Sequence, residues 1–162
     1  MGNKRSAGTP ATAALDEAAV PHVLHSYAHD PRAESFGLEA ANALGVEPAR
    51  VYKTLVVDTG EGLAVGVVPV TGSLDLKALA LALGVKKVAM ADPARAQRST
   101  GMVVGGISPI GQKRSLPTVL DDSMQQFETV LVSAGRRGLD VELSPTDLAQ
   151  MTDGVFAAIS RS

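Results

Sequence analysis

The 162-residue chain predicts an α+β fold, a curled and largely antiparallel mixed sheet with helices packed around it. Candidate helices and strands interleave without the regular βαβ spacing of a doubly wound parallel sheet. Several candidate strands are joined by short turns, which antiparallel pairs permit and parallel pairs do not. Composition agrees with one core, because 45% of residues are hydrophobic and 20% charged. A chain of this length buries roughly 70% of its extended surface without a metal or disulfide staple.

The elements follow in order. Met1 to Gly8 is basic but lacks a hydrophobic secretory core, so residues 1–8 read as a loose extension and 9–162 as one domain. Thr9-Pro10 opens a helix running to about Val20, with Thr as cap and Pro at the first position. His22 to Tyr27 reads as a strand, and Ser35 caps a helix from Phe36 to Leu44 that stops at Gly45. Val51 to Asp58 and Leu63 to Val70 form a hairpin around Thr59-Gly60-Glu61-Gly62. A helix from Leu74 to Leu83 closes at Gly84, and Val85 to Ala91 is a short strand. Asp92-Pro93 starts a helical turn through Arg98, followed by a glycine-rich stretch, Gly101 to Gly111. Strands come next at Thr118 to Leu120, Thr129 to Ser133 and Leu139 to Leu143. Ser144-Pro145 caps a helix to Met151, and a last element contains Val155 to Ile159.

Composition also excludes functions. With no cysteine there is no disulfide, no thiolate-metal site and no protein thiol nucleophile. That sits comfortably with a reducing cytoplasm, the expected location. Two Tyr, three Phe and no Trp make a row of base-stacking rings an unlikely design. Apolar runs such as Leu63 to Val70 are too short to cross a bilayer. The net charge of -2 conceals a division: residues 86–137 hold eight Lys/Arg against four Asp/Glu, while both flanking segments are acidic. Lys86-Lys87, Arg95 with Arg98, Lys113-Arg114 and Arg136-Arg137 form pairs. Such pairs suit a phosphate backbone, or an ordinary solvated surface.

Three stretches interrupt apolar patterns with polar groups. In Val51-Tyr52-Lys53-Thr54-Leu55, Lys53 shares a strand face with Val51, Leu55 and Val57, which is costly unless its ammonium reaches a cleft or the surface. The four glycines of Gly101 to Gly111 free the backbone to approach a ligand, or simply to turn, and match no phosphate-loop fingerprint. In Val132 to Asp140, Ser133 and Asp140 flank a turn carrying two arginines, where they either converge on a ligand or decorate a hairpin tip. His22, His25 and His29 lie on a strand pattern rather than one helical face, so no metal site is expected.

These stretches, together with Tyr27-Ala28-His29-Asp30, Leu74-Asp75-Leu76-Lys77, Met90-Ala91-Asp92-Pro93 and Gln97-Arg98-Ser99-Thr100-Gly101, resemble the YbaK/EbsC family of aminoacyl-tRNA deacylases. The resemblance runs in unbroken order from about Thr9 to Ile159, and implies a fold like the editing insertion domain of prolyl-tRNA synthetase. It implies catalytic roles for Lys53, Gly105 and Asp140, and substrate-binding roles for Tyr27, Thr54 and Ser133. Candidates for the tRNA backbone are Arg98, Lys113, Arg114, Arg136 and Arg137; Lys113-Arg114-Ser115 is less basic than the family often is. The implied reaction is trans-editing of Cys-tRNA(Pro), and of Cys-tRNA(Cys), by attack of the substrate's own thiol. No cofactor or metal is implied, no membrane is involved, and prolyl-tRNA synthetase is a transient partner. Other readings are an Ala-tRNA(Pro) deacylase using water, a non-catalytic adaptor for tRNA or the synthetase, and a small-nucleotide-binding regulator.

Overall fold

The computed structural model describes residues 8–33 and 35–162; residues 1–7 of the expected extension lie outside them. In chain order the elements are α1 (Pro10–Glu17), β1 (Val23–Ser26), α2 (Phe36–Leu44), β2 (Tyr52–Asp58), β3 (Leu63–Pro69), β4 (Ser73–Leu74) and α3 (Leu76–Leu83). Then follow β5 (Ala89–Met90), α4 (Pro93–Thr100), β6 (Thr118–Asp121), β7 (Val130–Arg136), β8 (Leu139–Leu143), α5 (Pro145–Thr152), β9 (Val155–Ala157) and β10 (Ser160–Arg161). Short 3-10 turns cover Pro48–Arg50 and Asp122–Gln126.

The strands form a five-stranded mixed sheet in the order β5-β2-β3-β6-β9, a three-stranded sheet β1-β8-β7 and a two-stranded ribbon β10-β4. Among the described residues the β3–β6 and β6–β9 strand pairs are parallel and the other strand pairs antiparallel. The fold class is therefore the expected one, with the strands divided among three sheets. A parallel bridge between Val51 and Leu131 brings the start of β2 against β7.

Side-chain caps place the helices. Thr9 and Thr12 form a reciprocal capping box, each hydroxyl accepting the other's backbone N–H at 3.1 Å. Ser35, Asp75, Asp92 and Ser144 cap α2, α3, α4 and α5 one way, each side chain accepting a backbone N–H three residues on; such a cap contributes ~1 kcal/mol. Helix α1 ends at Glu17, earlier than periodicity suggests. Helix α3 begins at Leu76 rather than Leu74, because Ser73 and Leu74 pair with Arg161 and Ser160.

Both faces of the central sheet are covered. On one, Val57, Ala64 and Val68 pack with Leu79 of α3 and Ile159. On the other, Tyr52, Val56, Val65, Val67 and Leu120 join Leu15, Val132, Val141 and Leu148. This two-sided burial explains why β3 is apolar along its length instead of alternating. Burying one such aliphatic side chain contributes roughly 1.5–3 kcal/mol.

Candidate active site

Six residues singled out in the sequence, Tyr27, Lys53, Thr54, Gly105, Ser133 and Asp140, line one cavity of ≈ 350 Å³. They come from widely separated parts of the chain.

Strand β2 supplies Lys53 and Thr54 through an interruption in the sheet. β5 pairs with β2 only at Val57 and Asp58, and the Ala91 N–H donates to the Val56 carbonyl at 3.0 Å. Between that point and the Val51–Leu131 bridge, β2 has β3 on one side and the cavity on the other. Residues 51 to 56 consequently all line it, although successive strand side chains leave opposite faces. Lys53, opposite Val68 in the sheet, is half-buried and has no carboxylate partner among the described residues. The Thr54 hydroxyl is buried without a hydrogen-bond partner among the described residues. Leaving such a group unsatisfied costs roughly 1–3 kcal/mol, which a bound polar ligand would recover.

Hairpin β7–β8 supplies Ser133 and Asp140, which are directly paired across the ladder next to an irregularity between Ser133 and Arg136. They converge on the cavity rather than decorate a tip. Burial pushes the Asp140 carboxyl up from 3.8 to about 6, with His25 pulling the other way. Two buried aspartates show how differently such a group can be used. Asp121 accepts from the Ile159 N–H at 2.9 Å and from the Ser123 hydroxyl, which also bonds to Tyr52 at 2.8 Å. Asp140 is 5% exposed and no hydrogen bond or ion pair to its carboxylate occurs among the described residues. Asp121 fastens strands together; Asp140 is held open to the cavity. Burial, then the nearby Asp140 charge, pushes the Tyr27 phenol up to about 12, so it remains a neutral hydroxyl.

The glycine-rich stretch is a tightly held wall. The Val104 N–H donates to the Gln97 amide oxygen at 3.0 Å and the Ser108 N–H to the Met102 sulfur at 3.2 Å. Arg137 donates twice to the Val104 carbonyl and lies 4.8 Å over the Phe36 ring. Gly105 has φ +90, and a Cβ there would meet the Phe36 ring at 2.8 Å. A Cβ on Gly106 would strike the Arg136–Arg137 backbone at 2.6 Å. Gly106 donates its N–H to Val103 at 2.8 Å, whereas no hydrogen bond from the Gly105 N–H occurs among the described residues. Phe36, beside the Ser35 cap, also lines the cavity; the sequence reading missed it, and its place just after a cap was the only available signal.

The tRNA-backbone candidates separate into two groups. Arg136 and Arg137 end hairpin β7–β8 beside the cavity, with Arg137 committed to the glycine-rich wall. Arg98, Lys113 and Arg114 instead line a second, open cleft of ≈ 1050 Å³ together with Arg95 and Glu61. The three histidines have separate partners: Val20 carbonyl for His22, Glu142 for His25 and Glu39 for His29.

Among known proteins, residues 31–151 match the model of the aminoacyl-tRNA editing domain. The chain is 45% identical over 121 residues, 74% of each protein, to the Enterococcus faecalis "Putative Cys-tRNA(Pro)/Cys-tRNA(Cys) deacylase EbsC". It is 31% identical over 116 residues to the Bacillus subtilis protein YwhH, covering 70% of this chain and 73% of that one. Two solved structures share the fold. "Hypothetical protein APE2540" has a TM-score of 0.84 at 25% identity, over 94% of this chain and all of the other. A "putative trans-editing enzyme for prolyl tRNA synthetase" has 0.82 at 24%, over 94% and 96%. With most of its length inside the family model and a relative at this identity, the chain belongs to the aminoacyl-tRNA editing family, in its YbaK/EbsC branch.

Proposed function

We propose that the protein is a trans-editing deacylase that clears Cys-tRNA(Pro), and Cys-tRNA(Cys), through attack of the substrate's own thiol. The observation that carries this reading is the gathering of Lys53, Thr54, Gly105, Ser133 and Asp140 around one small cavity, in a chain similar to EbsC over three quarters of its length. The volume lies near the lower end of small-ligand sites, which suits an aminoacyl group and its ribose.

The chemistry follows from what the cavity offers. The substrate sulfur forms a bond to the ester carbonyl carbon, and the carbonyl oxygen takes the negative charge. The Gly105 N–H and the Lys53 ammonium stabilise that charge; one such donor is typically worth roughly 3–4 kcal/mol. The ester C–O bond then breaks, the ribose oxygen departs with the thiol's proton, and a thiolactone is released that water later opens to cysteine. Attack within one bound molecule gains roughly 7 kcal/mol or more from proximity. A chain without cysteine supplies no competing thiol. Asp140, ionised above about pH 6, holds the substrate ammonium, while Tyr27, Thr54 and Ser133 orient the aminoacyl group and terminal adenosine. The domain of residues 9–162 is the catalytic unit, and prolyl-tRNA synthetase supplies tRNA selectivity as a transient partner.

Deacylation of Cys-, Ala- and Pro-tRNA(Pro), with iodoacetamide-blocked Cys-tRNA(Pro) alongside, tests the proposal. Cys-tRNA(Pro) is turned over fastest and the blocked ester is inert. Equal turnover of the blocked ester removes the thiol mechanism, and preference for Ala-tRNA(Pro) replaces it with attack by water. Binding without any turnover above the spontaneous rate makes the protein an adaptor.

A further inference from the structure

The second cleft lies behind the cavity, on the opposite side of one helix. Pro93 and Ala96 of α4 line the cavity, whereas Arg95, Arg98 and Ser99 of the same helix line the cleft. Helix α4 is thus a shared wall, about 10 Å thick with its side chains.

The cleft is built for negative charge. Of its four cations, Arg95 is paired with Asp58 at 2.7 Å. Arg98, Lys113 and Arg114 are exposed and have no carboxylate partner among the described residues. Among the described residues, Glu61 is the acidic residue on its lining. The cations are also held in position relative to each other. The Lys113 N–H donates to the Thr100 carbonyl at 2.9 Å and the Arg114 N–H to the Ser99 carbonyl at 3.1 Å. These bonds tie the Lys113-Arg114 loop to the last turn of α4, one residue from Arg98. The helix's negative end favours cations there, so the cluster forms without needing carboxylates. An open cleft of ≈ 1050 Å³ whose largely apolar floor carries four cations and little acidic charge fits an extended polyanion better than a compact small molecule.

We propose that this cleft grips phosphates of the same tRNA whose aminoacylated end enters the cavity, the strand passing over α4 between them. A few nucleotides span one helix thickness. The inference rests on the deacylase reading for the cavity, but its test reads the cleft separately.

The variant is Arg98→Ala/Lys113→Ala/Arg114→Ala, all at exposed positions; Arg98→Glu alone serves should the triple variant melt early. Affinity for uncharged tRNA is measured by fluorescence anisotropy from 50 to 200 mM salt. Binding at 50 mM is expected to weaken about tenfold or more, and the slope of log affinity against log salt to shrink by about two to three. In deacylation, the ratio of kcat/KM for Cys-tRNA(Pro) to that for cysteinyl-adenosine ester falls by a similar factor, through KM. Unchanged affinity and slope overturn the proposal, as does an equal loss on both substrates. Inorganic phosphate or a mononucleotide that binds the wild type but not the variant, with tRNA binding unaltered, also overturns it. If no aminoacyl-tRNA is hydrolysed, the deacylase reading fails while the anisotropy still decides the cleft.

Discussion

The cavity and the cleft on the two sides of α4 differ in size and in how their charged groups are held. The cavity is small, largely apolar, and holds a few polar groups without partners among the described residues: Thr54 hydroxyl, Asp140 carboxylate and Lys53 ammonium. The cleft is three times larger, open, and lined by exposed cations tethered through their backbones. Desolvated groups shape and activate a reacting ester, because charge interactions strengthen away from water. Exposed cations hold a long anion in a salt-dependent and sequence-independent way. One helix serves both because its 3.6-residue period puts Pro93 and Ala96 on one face and Arg95, Arg98 and Ser99 on the other.

The largest effect expected is at Lys53. Lys53→Ala should lower kcat for Cys-tRNA(Pro) about a hundredfold or more while tRNA affinity stays near wild type; a rate equal to wild type would falsify the catalytic role. Gly105→Ala comes next, since φ +90 and contact with Phe36 both oppose a side chain. It should cost about 1–3 kcal/mol of stability and at least about tenfold in rate, measured by thermal melts and single-turnover assays. An unaltered rate would mean that this wall does not touch the ester.

Asp140→Asn separates activity from stability. The folded carboxyl titrates near 6 instead of 3.8, so the fold favours the protonated form. As pH rises from about 4 to 6 the unfolded chain loses its proton first, and stability is progressively lost. At neutral pH the ionised carboxylate costs the fold on the order of 3 kcal/mol. The variant should therefore be more stable than wild type at pH 7 and nearly equal at pH 4, and kcat/KM should collapse. In the wild type, kcat/KM should fall as pH drops through about 6. A stability gain independent of pH would remove this account of Asp140.

The smallest effect expected is at the cap both sites share. Asp92 accepts the Arg95 N–H at 3.1 Å, and Asp92→Ala should cost ~1 kcal/mol. Loosening α4 should raise KM for tRNA and for cysteinyl-adenosine ester together. A change confined to one substrate would show that the two sides of the helix move independently.

Local chemistry carried much of the fold. Thr9-Pro10, Ser35 with Gly45, Asp92-Pro93 and Ser144-Pro145 mark helix ends because their side chains and backbones act within three or four residues. The Thr59 to Gly62 hairpin is legible for the same reason. Pairings at long separation are not. Ser73–Leu74 reads as the start of a helix until Ser160–Arg161 arrives beside it. The open edge at residues 52–55 exists because β5 stops short and the backbone bridge to β7 lies at Val51.

The sequence by itself determined the α+β class, the caps, the hairpins and, through a serial resemblance, the residues worth watching. Tertiary structure decided which of two buried aspartates is satisfied and which faces a cavity. It also decided that Lys53 and Thr54 share one site despite opposite strand faces, and that the cations divide between two clefts. The physical reason is range. Propensity and capping act over one helical turn, whereas burial and hydrogen-bond satisfaction depend on neighbours that only the closed fold brings within a few ångströms.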